Sequence, residues 1–275
     1  MIVTLTANPS SDRTVTLTGR LERGAVLRAT SLTSQAGGKG VNISRAAVAA
    51  GIPTVAVLPA ESDGPFVAEL RAAGVDCRPQ EPAGPVRANL TIAEPDGTTT
   101  KINNPGAAVD RRHLDLLARA VTDLAAQASW VVLAGSLPPG APDGWYAELV
   151  RALRRTSTRV AVDTSDAPLA ALAADLPGAA PDLMKPNAEE LATLTGAAPH
   201  DLERDPGAAA AAAGVLIGKG VGAVLVTLGA AGGVLVTAEG AWHAPAPPTS
   251  VVSTVGAGDS SLFGYLLGAE RRLPP

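Results

Sequence analysis

Cysteine is almost absent from this chain. Cys77 stands alone, so neither an internal disulfide nor a thiolate metal cluster can be assembled. Aromatic residues make up 3% of the sequence, and 22 Lys and Arg against 26 Asp and Glu leave a net charge of −4 with no basic block. Nucleic acid is therefore not an expected partner, for want of both a phosphate-tracking basic face and stacking side chains. No uninterrupted apolar run reaches the roughly 20 residues that span a bilayer. The start, Met1-Ile2-Val3-Thr4-Leu5-Thr6, reads as a buried strand and lacks the basic head and apolar stretch of a signal peptide. A cytoplasmic location without a membrane partner is expected. No G-x-x-x-x-G-K-[ST] phosphate loop occurs, so any nucleotide is held by other means. His113, His200 and His243 fall outside every motif, and no Ser/His/Asp or Cys/His arrangement emerges.

What is present suits a large α/β domain. The chain has 275 residues, of which 46% are hydrophobic. Short apolar runs at 54–58, 130–134, 159–162, 223–228 and 233–237 read as strands. They alternate with helical periodicity at 40–50, 65–73, 111–127, 144–155, 188–194 and 206–218. Such alternation predicts a mostly parallel sheet covered by helices. The alanine run 208–213 reads as plain helix, because alanine is the best helix former. Two helix-free stretches interrupt the pattern, 13–17 with 26–32 and 86–93 with 98–102, the second joined by the turn Glu94-Pro95-Asp96-Gly97. They predict a small separate sheet, suited to a lid or an oligomer contact.

The most informative segment is Ser253-Thr254-Val255-Gly256-Ala257-Gly258-Asp259-Ser260, which runs through a two-glycine turn into a helical stretch. Small residues at a helix start let backbone N–H groups approach an anion. Asp259 beside such donors can take a proton from a hydroxyl while the donors hold a phosphoryl group, which points to phosphoryl transfer to an alcohol. Ala36-Gly37-Gly38-Lys39-Gly40-Val41-Asn42 offers close backbone approach, a cation for phosphate, and an amide for hydroxyls. Asn8-Pro9-Ser10-Ser11-Asp12 and Gly135-Ser136-Leu137-Pro138 follow strands, where open α/β sheets bind ligands. In Lys185-Pro186-Asn187-Ala188-Glu189-Glu190, Asn187 and Glu190 share a helix face and can organise water around Mg²⁺. The same spacing suits a capping box, and both readings can hold at once. Thr227-Leu228-Gly229-Ala230-Ala231-Gly232 either admits a nucleotide phosphate or simply makes a turn.

Taken in order, these segments resemble the PfkB branch of the ribokinase-like sugar kinases, over nearly the whole chain from Asn8 to Leu267. Within that branch they are most similar to the phosphosugar kinases. The resemblance implies an α/β, ribokinase-like three-layer fold, with a mostly parallel central sheet flanked by helices and a small β-sheet lid. One kinase domain would cover 1–275, with lid strands from about 12–33 and 85–104 and a homodimer contact through the lid. It implies ATP and Mg²⁺ as cofactors and a ketohexose phosphate as substrate, foremost fructose 1-phosphate converted to fructose 1,6-bisphosphate. Tagatose 6-phosphate, fructose 6-phosphate and a catalytically weak sugar-phosphate binder are the alternatives. By the resemblance, Asp259 is the catalytic base, and Gly256, Ala257 and Gly258 form the anion hole. Asp12, Gly38, Asn42 and Ser136 match sugar-contacting positions, and Arg28, Lys39 and Arg87 match positions that hold the substrate phosphate. Lys185, Thr227, Gly229, Gly232 and Gly258 match the ATP site, and Asn187 and Glu190 the magnesium-associated pair. Two departures stand out. Position 11 is Ser where an apolar residue is usual, and the chain stops at Pro275, about one helical hairpin earlier than family members. An adenine pocket open on one side, beside an exposed apolar strip, is therefore expected.

Overall fold

Strands whose two faces are both apolar build the larger of two sheets. The computed structural model describes residues 1–247 and 256–274. The first half of the chain runs β1 (Ile2–Thr6), β2 (Ser10–Leu17), β3 (Ala29–Gly37), α1 (Lys39–Ala49), β4 (Thr54–Pro59), α2 (Pro65–Ala72), β5 (Asp76–Gln80), β6 (Arg87–Ala93) and β7 (Thr99–Ile102). It continues with α3 (Arg111–Ala125), β8 (Trp130–Ala134), α4 (Trp145–Leu153), β9 (Arg159–Asp163), α5 (Asp166–Ala174), β10 (Leu183–Met184) and α6 (Ala188–Thr195). Last come α7 (Pro199–Arg204), α8 (Pro206–Gly218), β11 (Ala223–Thr227), β12 (Gly233–Thr237), β13 (Ala241–Ala244) and α9 (Ala257–Glu270).

The larger sheet has nine strands in the order β13-β12-β11-β10-β9-β8-β1-β4-β5. The seven from β11 to β5 are mutually parallel, and β12 and β13 add antiparallel to the β11 edge. Alternate residues of each strand feed opposite cores. Val3 and Leu5 of β1 and Val131 and Leu133 of β8 meet α3, α4, α5, α6 and α8 on one face. Ile2, Trp130, Val132 and Ala134 meet Ile43 and Ala47 of α1 and Leu262, Phe263 and Leu266 of α9 on the other. Burial on both faces is why these strands read as unbroken apolar runs. Pro79 is tolerated in β5 because that strand lies at the sheet edge.

The smaller sheet has four strands in the order β3-β2-β6-β7. β2 pairs antiparallel with β3 and parallel with β6, and β6 pairs antiparallel with β7. This corrects the expected strand at 26–32, since β3 starts at Ala29 and extends to Gly37. The apolar residues that suggested the earlier start lie in solvent, with Val26 96% exposed. β5, β13, α5 and α7 were not anticipated from sequence. They are short, or lie at an edge, and their periodicity is weak. Among the described residues no helix is long and apolar enough to cross a membrane.

A buried hydroxyl relay fixes α1 on the sheet. The Thr4 and Ser44 hydroxyls lie 2.9 Å apart, and those of Ser44 and Thr54 3.0 Å apart. Replacing Ser44 with Ala leaves Thr4 and Thr54 buried without their shared partner. Chemical denaturation of Ser44→Ala should show a loss of ~1–3 kcal/mol, the cost of orphaning a buried hydroxyl.

Candidate active site

Chain order reverses beside β1. The chain passes from β1 to β4 and β5 on one side, then returns to place β8 on the other. Ligands of open α/β sheets bind at such a switch point, outside the carboxyl ends of the strands. A cavity of about 1010 Å³ lies there. Thr6 at the end of β1 and Asn8 after it, the 135–141 turn after β8, Ser165 and Asp166 after β9, Lys185 after β10 and Thr227 of β11 all line it. The small sheet supplies Asp12, Arg87, Asn89 and Lys101 from the opposite side.

The glycines around Lys39 bring α1 against the end of β1. Gly38 has φ +121°, and a Cβ there would lie 2.6 Å from Thr6 Cγ2. A Cβ on Gly37 would collide with the Asp12 carboxylate, and one on Gly40 with the Thr6 hydroxyl. Val41 N–H donates to that hydroxyl at 3.1 Å, which satisfies a first-turn donor of α1. Lys39 and Asn42 are three residues apart on this helix, so they share a face, and that face meets the cavity.

Asp163 lies at the end of β9 with no exposed surface. Lys39 Nζ donates to its Oδ1 at 2.7 Å, and Lys185 Nζ stands 3.2 Å from its Oδ2 as an ion pair without hydrogen-bond alignment. Burial would push the Lys39 ammonium down, but the Asp163 charge and hydrogen bond outweigh it, leaving its pKa raised. Asp259, in the first turn of α9, accepts a hydrogen bond from Asn42 Nδ2 at 2.7 Å. Burial pushes its carboxyl up and the Asp163 charge adds to this, while the Asn42 bond and both lysines oppose it. Gly256 precedes the helix in the left-handed conformation, φ +77°, as its N-cap.

A second cavity of about 370 Å³ adjoins the first. Gly229, Gly232 and Ala257 line only the second, while Asn187, Thr227 and Gly258 line both. The two cavities therefore meet at the N-terminus of α9. Among the described residues none after Ser261 lines the second cavity. Asn187 and Glu190 form the capping box of α6, each side-chain oxygen accepting from the other's backbone N–H at 2.8 Å. Glu190 nonetheless faces the first cavity.

Arg87 reaches the cavity because its partner in the sheet register is Ser10, at the crevice end of β2. Its guanidinium donates to Asn104 O at 2.7 Å and to Ser136 Oγ at 3.4 Å, and its Nε is buried without a partner among the described residues. Burial pushes its pKa down, against the pull of Asp12. Ser10 and Asn89 donate to Asp12 Oδ1 at 2.7 and 3.0 Å. Asn8 ties three loops together, donating to Pro105 O at 2.9 Å and Leu137 O at 3.4 Å.

Arg28 is not brought to this cavity. It precedes β3 at the Leu17–Ala29 end of the β2–β3 pair, whereas the Ser10–Gly37 end meets the crevice. Seven residues of strand, at ~3.3 Å each, separate the two ends. Ser253, Thr254 and Val255 lie outside the described residues. Asp163, Asn8, Asn89 and Lys101 were not singled out as site residues from sequence. Asp163 left one signal, a carboxylate closing an apolar strand.

The raised Asp259 pKa has a consequence for stability. A carboxyl whose pKa is higher in the folded state stabilises the fold below its ordinary value of 3.8 and loses that contribution as pH rises through the raised value. At neutral pH the ionised group is a net cost. Asp259→Asn keeps an acceptor for Asn42 without the charge. Its melting temperature should exceed that of the wild type at neutral pH, and calorimetry should find the difference shrinking as pH falls towards 3.8.

Comparison with known proteins agrees with this geometry. The profile of the pfkB family carbohydrate kinases matches residues 6–273. The chain is 37% identical over 265 residues to the 1-phosphofructokinase of Xanthomonas campestris pv. campestris, covering 95% of this chain and 82% of that protein. It is 38% identical over 272 residues to the 1-phosphofructokinase of Rhodobacter capsulatus, covering 98% and 83%. Phosphofructokinase-2 from Escherichia coli, solved in complex with fructose 6-phosphate, superposes with a TM-score of 0.88 at 28% identity, covering 99% of this chain and 88% of that one. The fold is the ribokinase-like α/β arrangement. With its family profile matched almost end to end, and an aspartate held at a helix N-terminus in a cavity with basic side chains, the chain belongs to the pfkB family of carbohydrate kinases.

Proposed function

We propose that this kinase transfers the γ-phosphoryl group of ATP to a ketohexose phosphate, foremost fructose 1-phosphate, giving fructose 1,6-bisphosphate and ADP. The observation that carries the reading is Asp259, buried at the N-terminus of α9 where the two cavities meet. The acceptor sugar occupies the larger cavity, and ATP reaches the same helix end from the smaller one. The acceptor hydroxyl oxygen bonds to the γ-phosphorus as the bond to the β–γ bridging oxygen breaks, and Asp259 takes the hydroxyl proton. The N–H groups of Gly256, Ala257 and Gly258, with the helix dipole, stabilise charge on the transferring group.

In this reading Asp12, Gly38, Asn42 and Ser136 contact the sugar. Arg87, with its unpartnered Nε, and Lys39 bind the phosphate already on it. Lys185, Thr227, Gly229 and Gly232 line the nucleotide side. Mg²⁺ would be held through Glu190, oriented by its cap with Asn187. One carboxylate oxygen is spent in the cap, and among the described residues the other accepts no hydrogen bond. A hard cation that keeps most of its waters needs no more. When bound, the ion supplies charge neutralisation on the triphosphate.

The small sheet acts as a lid and as a homodimer surface. Lys101 and Asn103 reach the cavity from its β7 side. Leu32 of β3 and Ile102 of β7 are 65% and 50% exposed, and Val26, just before β3, is 96% exposed, so large apolar side chains stand in solvent along this sheet. Leu32→Lys should shift the protein from dimer to monomer in light scattering. A wild type that is monomeric at every concentration overturns the dimer.

Fructose 6-phosphate is the second reading, favoured by the structural likeness to phosphofructokinase-2. ADP release measured across fructose 1-phosphate, fructose 6-phosphate and tagatose 6-phosphate decides between them. Asp259→Asn should lower turnover by ~10²–10⁴-fold, as loss of a general base does. Arg87→Ala should weaken the sugar phosphate by about 2 kcal/mol, the scale of a charged hydrogen bond, with little change for ATP. Near-normal turnover in the first variant, or equal losses for both ligands in the second, would overturn these assignments.

A further inference from the structure

We propose that Arg45 and Glu69 are positioning residues for phosphoryl transfer, clamping the peptide that leads into the Gly37-Gly38-Lys39-Gly40 turn. The proposal rests on the site reading above. Ala36 N–H donates to Glu69 Oε1 at 2.7 Å, and Ala36 O accepts from Arg45 Nη2 at 3.2 Å. Arg45 Nη2 also donates to Glu69 Oε1 at 3.0 Å, closing a three-membered ring of contacts. One guanidinium and one carboxylate thus hold both polar groups of a single residue.

The need for such a clamp follows from topology. β3 is an edge strand of its sheet, so a polar group on its open side has no further strand to meet. Ala36 is buried at its crevice end, one step before the glycines. Three glycines in four residues leave the turn with high conformational freedom, so its geometry depends on how its two ends are held. The far end is held by Thr6 Oγ1 on Val41 N–H and by the Thr4, Ser44 and Thr54 hydroxyls. The near end is held by Glu69 from α2 and Arg45 from α1.

What the turn carries makes its position matter. Lys39 reaches Asp163, and Asn42 reaches Asp259, at 2.7 Å each. Arg45 follows Asn42 by three residues, so the clamp and the Asp259 contact share a face of α1, and Lys39 lies on the adjoining side of the same helix. Glu69 touches neither cavity of the site, so its effect must pass through Ala36 and the turn.

Hydrogen exchange and steady-state kinetics of Glu69→Ala and Glu69→Gln test this. Glu69→Ala should speed amide exchange across residues 36–42 and leave that of 130–134 unchanged. Its kcat/KM for the sugar phosphate should fall by at least about tenfold, within the ~10²-fold that a 1 Å misplacement can cost. The KM for ATP should move much less. Glu69→Gln keeps an acceptor for Ala36 N–H and should recover most of the loss. If Glu69→Ala does not accumulate folded, Glu69→Asp, which withdraws the carboxylate by one methylene, is read by the same two measures. Unchanged exchange across 36–42 overturns the clamp. So does faster exchange with kcat and KM both unaltered, or a lowered melting temperature and active fraction with normal KM and no recovery in Glu69→Gln. Faster exchange in a protein whose wild type is inert on all three sugar phosphates would support the clamp and overturn the substrate reading.

Discussion

A carboxylate with no exposed surface, Asp163, holds two ammonium groups from distant parts of the chain, and the site is arranged around it. An ionised carboxylate buried alone would cost several kcal/mol in desolvation. Lys39 from α1 and Lys185 from the loop after β10 offset that cost, and their positions are set in return. Asp163 also fixes backbone, since its carbonyl accepts from Gly135 N–H at 2.9 Å and the next residue's hydroxyl donates to Gly135 O at 2.9 Å. The turn that presents Ser136 therefore hangs from the same strand end. Removing the Asp163 charge would take from both lysines the carboxylate they share, leaving Asp259 as the remaining anion that acts on both.

That cluster gives the site its electrostatic character before any substrate arrives. Lys39 remains a third exposed although its ammonium is tied to Asp163, so it can turn one donor to an incoming phosphate without giving up its partner. Lys185 is almost wholly buried and stands at the start of α9, where its Nζ lies 3.3 Å from the place a Gly258 side chain would occupy. A Cβ there would press on the end of the Lys185 side chain, which would have to give by a few tenths of an ångström. Asp259 is the odd member, an acid whose burial disfavours its charge while both lysines favour it. A carboxylate tuned upward in this way accepts a proton more readily than a solvated aspartate would, which suits the proposed role of base.

Much of the fold was legible because the parallel strands bury both faces. The runs at 130–134 and 233–237 and the helix at 206–218 fall where the sequence pattern puts them. The small sheet was legible in kind and not in register. Its strand β3 is exposed over seven of nine residues, so no alternation marks where it begins, and Val26 and Leu27 suggested a start three residues early. Register also sets where Arg28 lies. In sequence it is one more basic residue near the lid, but antiparallel pairing sends it to the end of the sheet remote from the crevice. Asp163 was given no site role for a different reason. A single carboxylate ending a strand has no neighbour in sequence to betray its partners, which lie 124 residues before it in one case and 22 residues after it in the other. The capping box was legible from spacing alone because all its atoms lie within one helical turn.

Among the described residues the two cavities share only Asn187, Thr227 and Gly258, and the proposed chemistry rests on this boundary more than on either cavity alone. Direct transfer between two bound substrates needs their reacting atoms within about 3–3.5 Å, with water kept away. A helix N-terminus set at the junction supplies donors to the group in transit, whichever side it is on. The first helix then supplies the orientation that the last cannot, since Asn42 on α1 bonds Asp259 across 217 residues of sequence. The Asp259 carboxylate is thus aimed by an element packed against the sheet through Ile43 and Ala47. Glycine at 256 and 258 leaves the N-terminus of α9 open to an anion, and the cost of that openness in rigidity is met by a side chain from the opposite end of the chain.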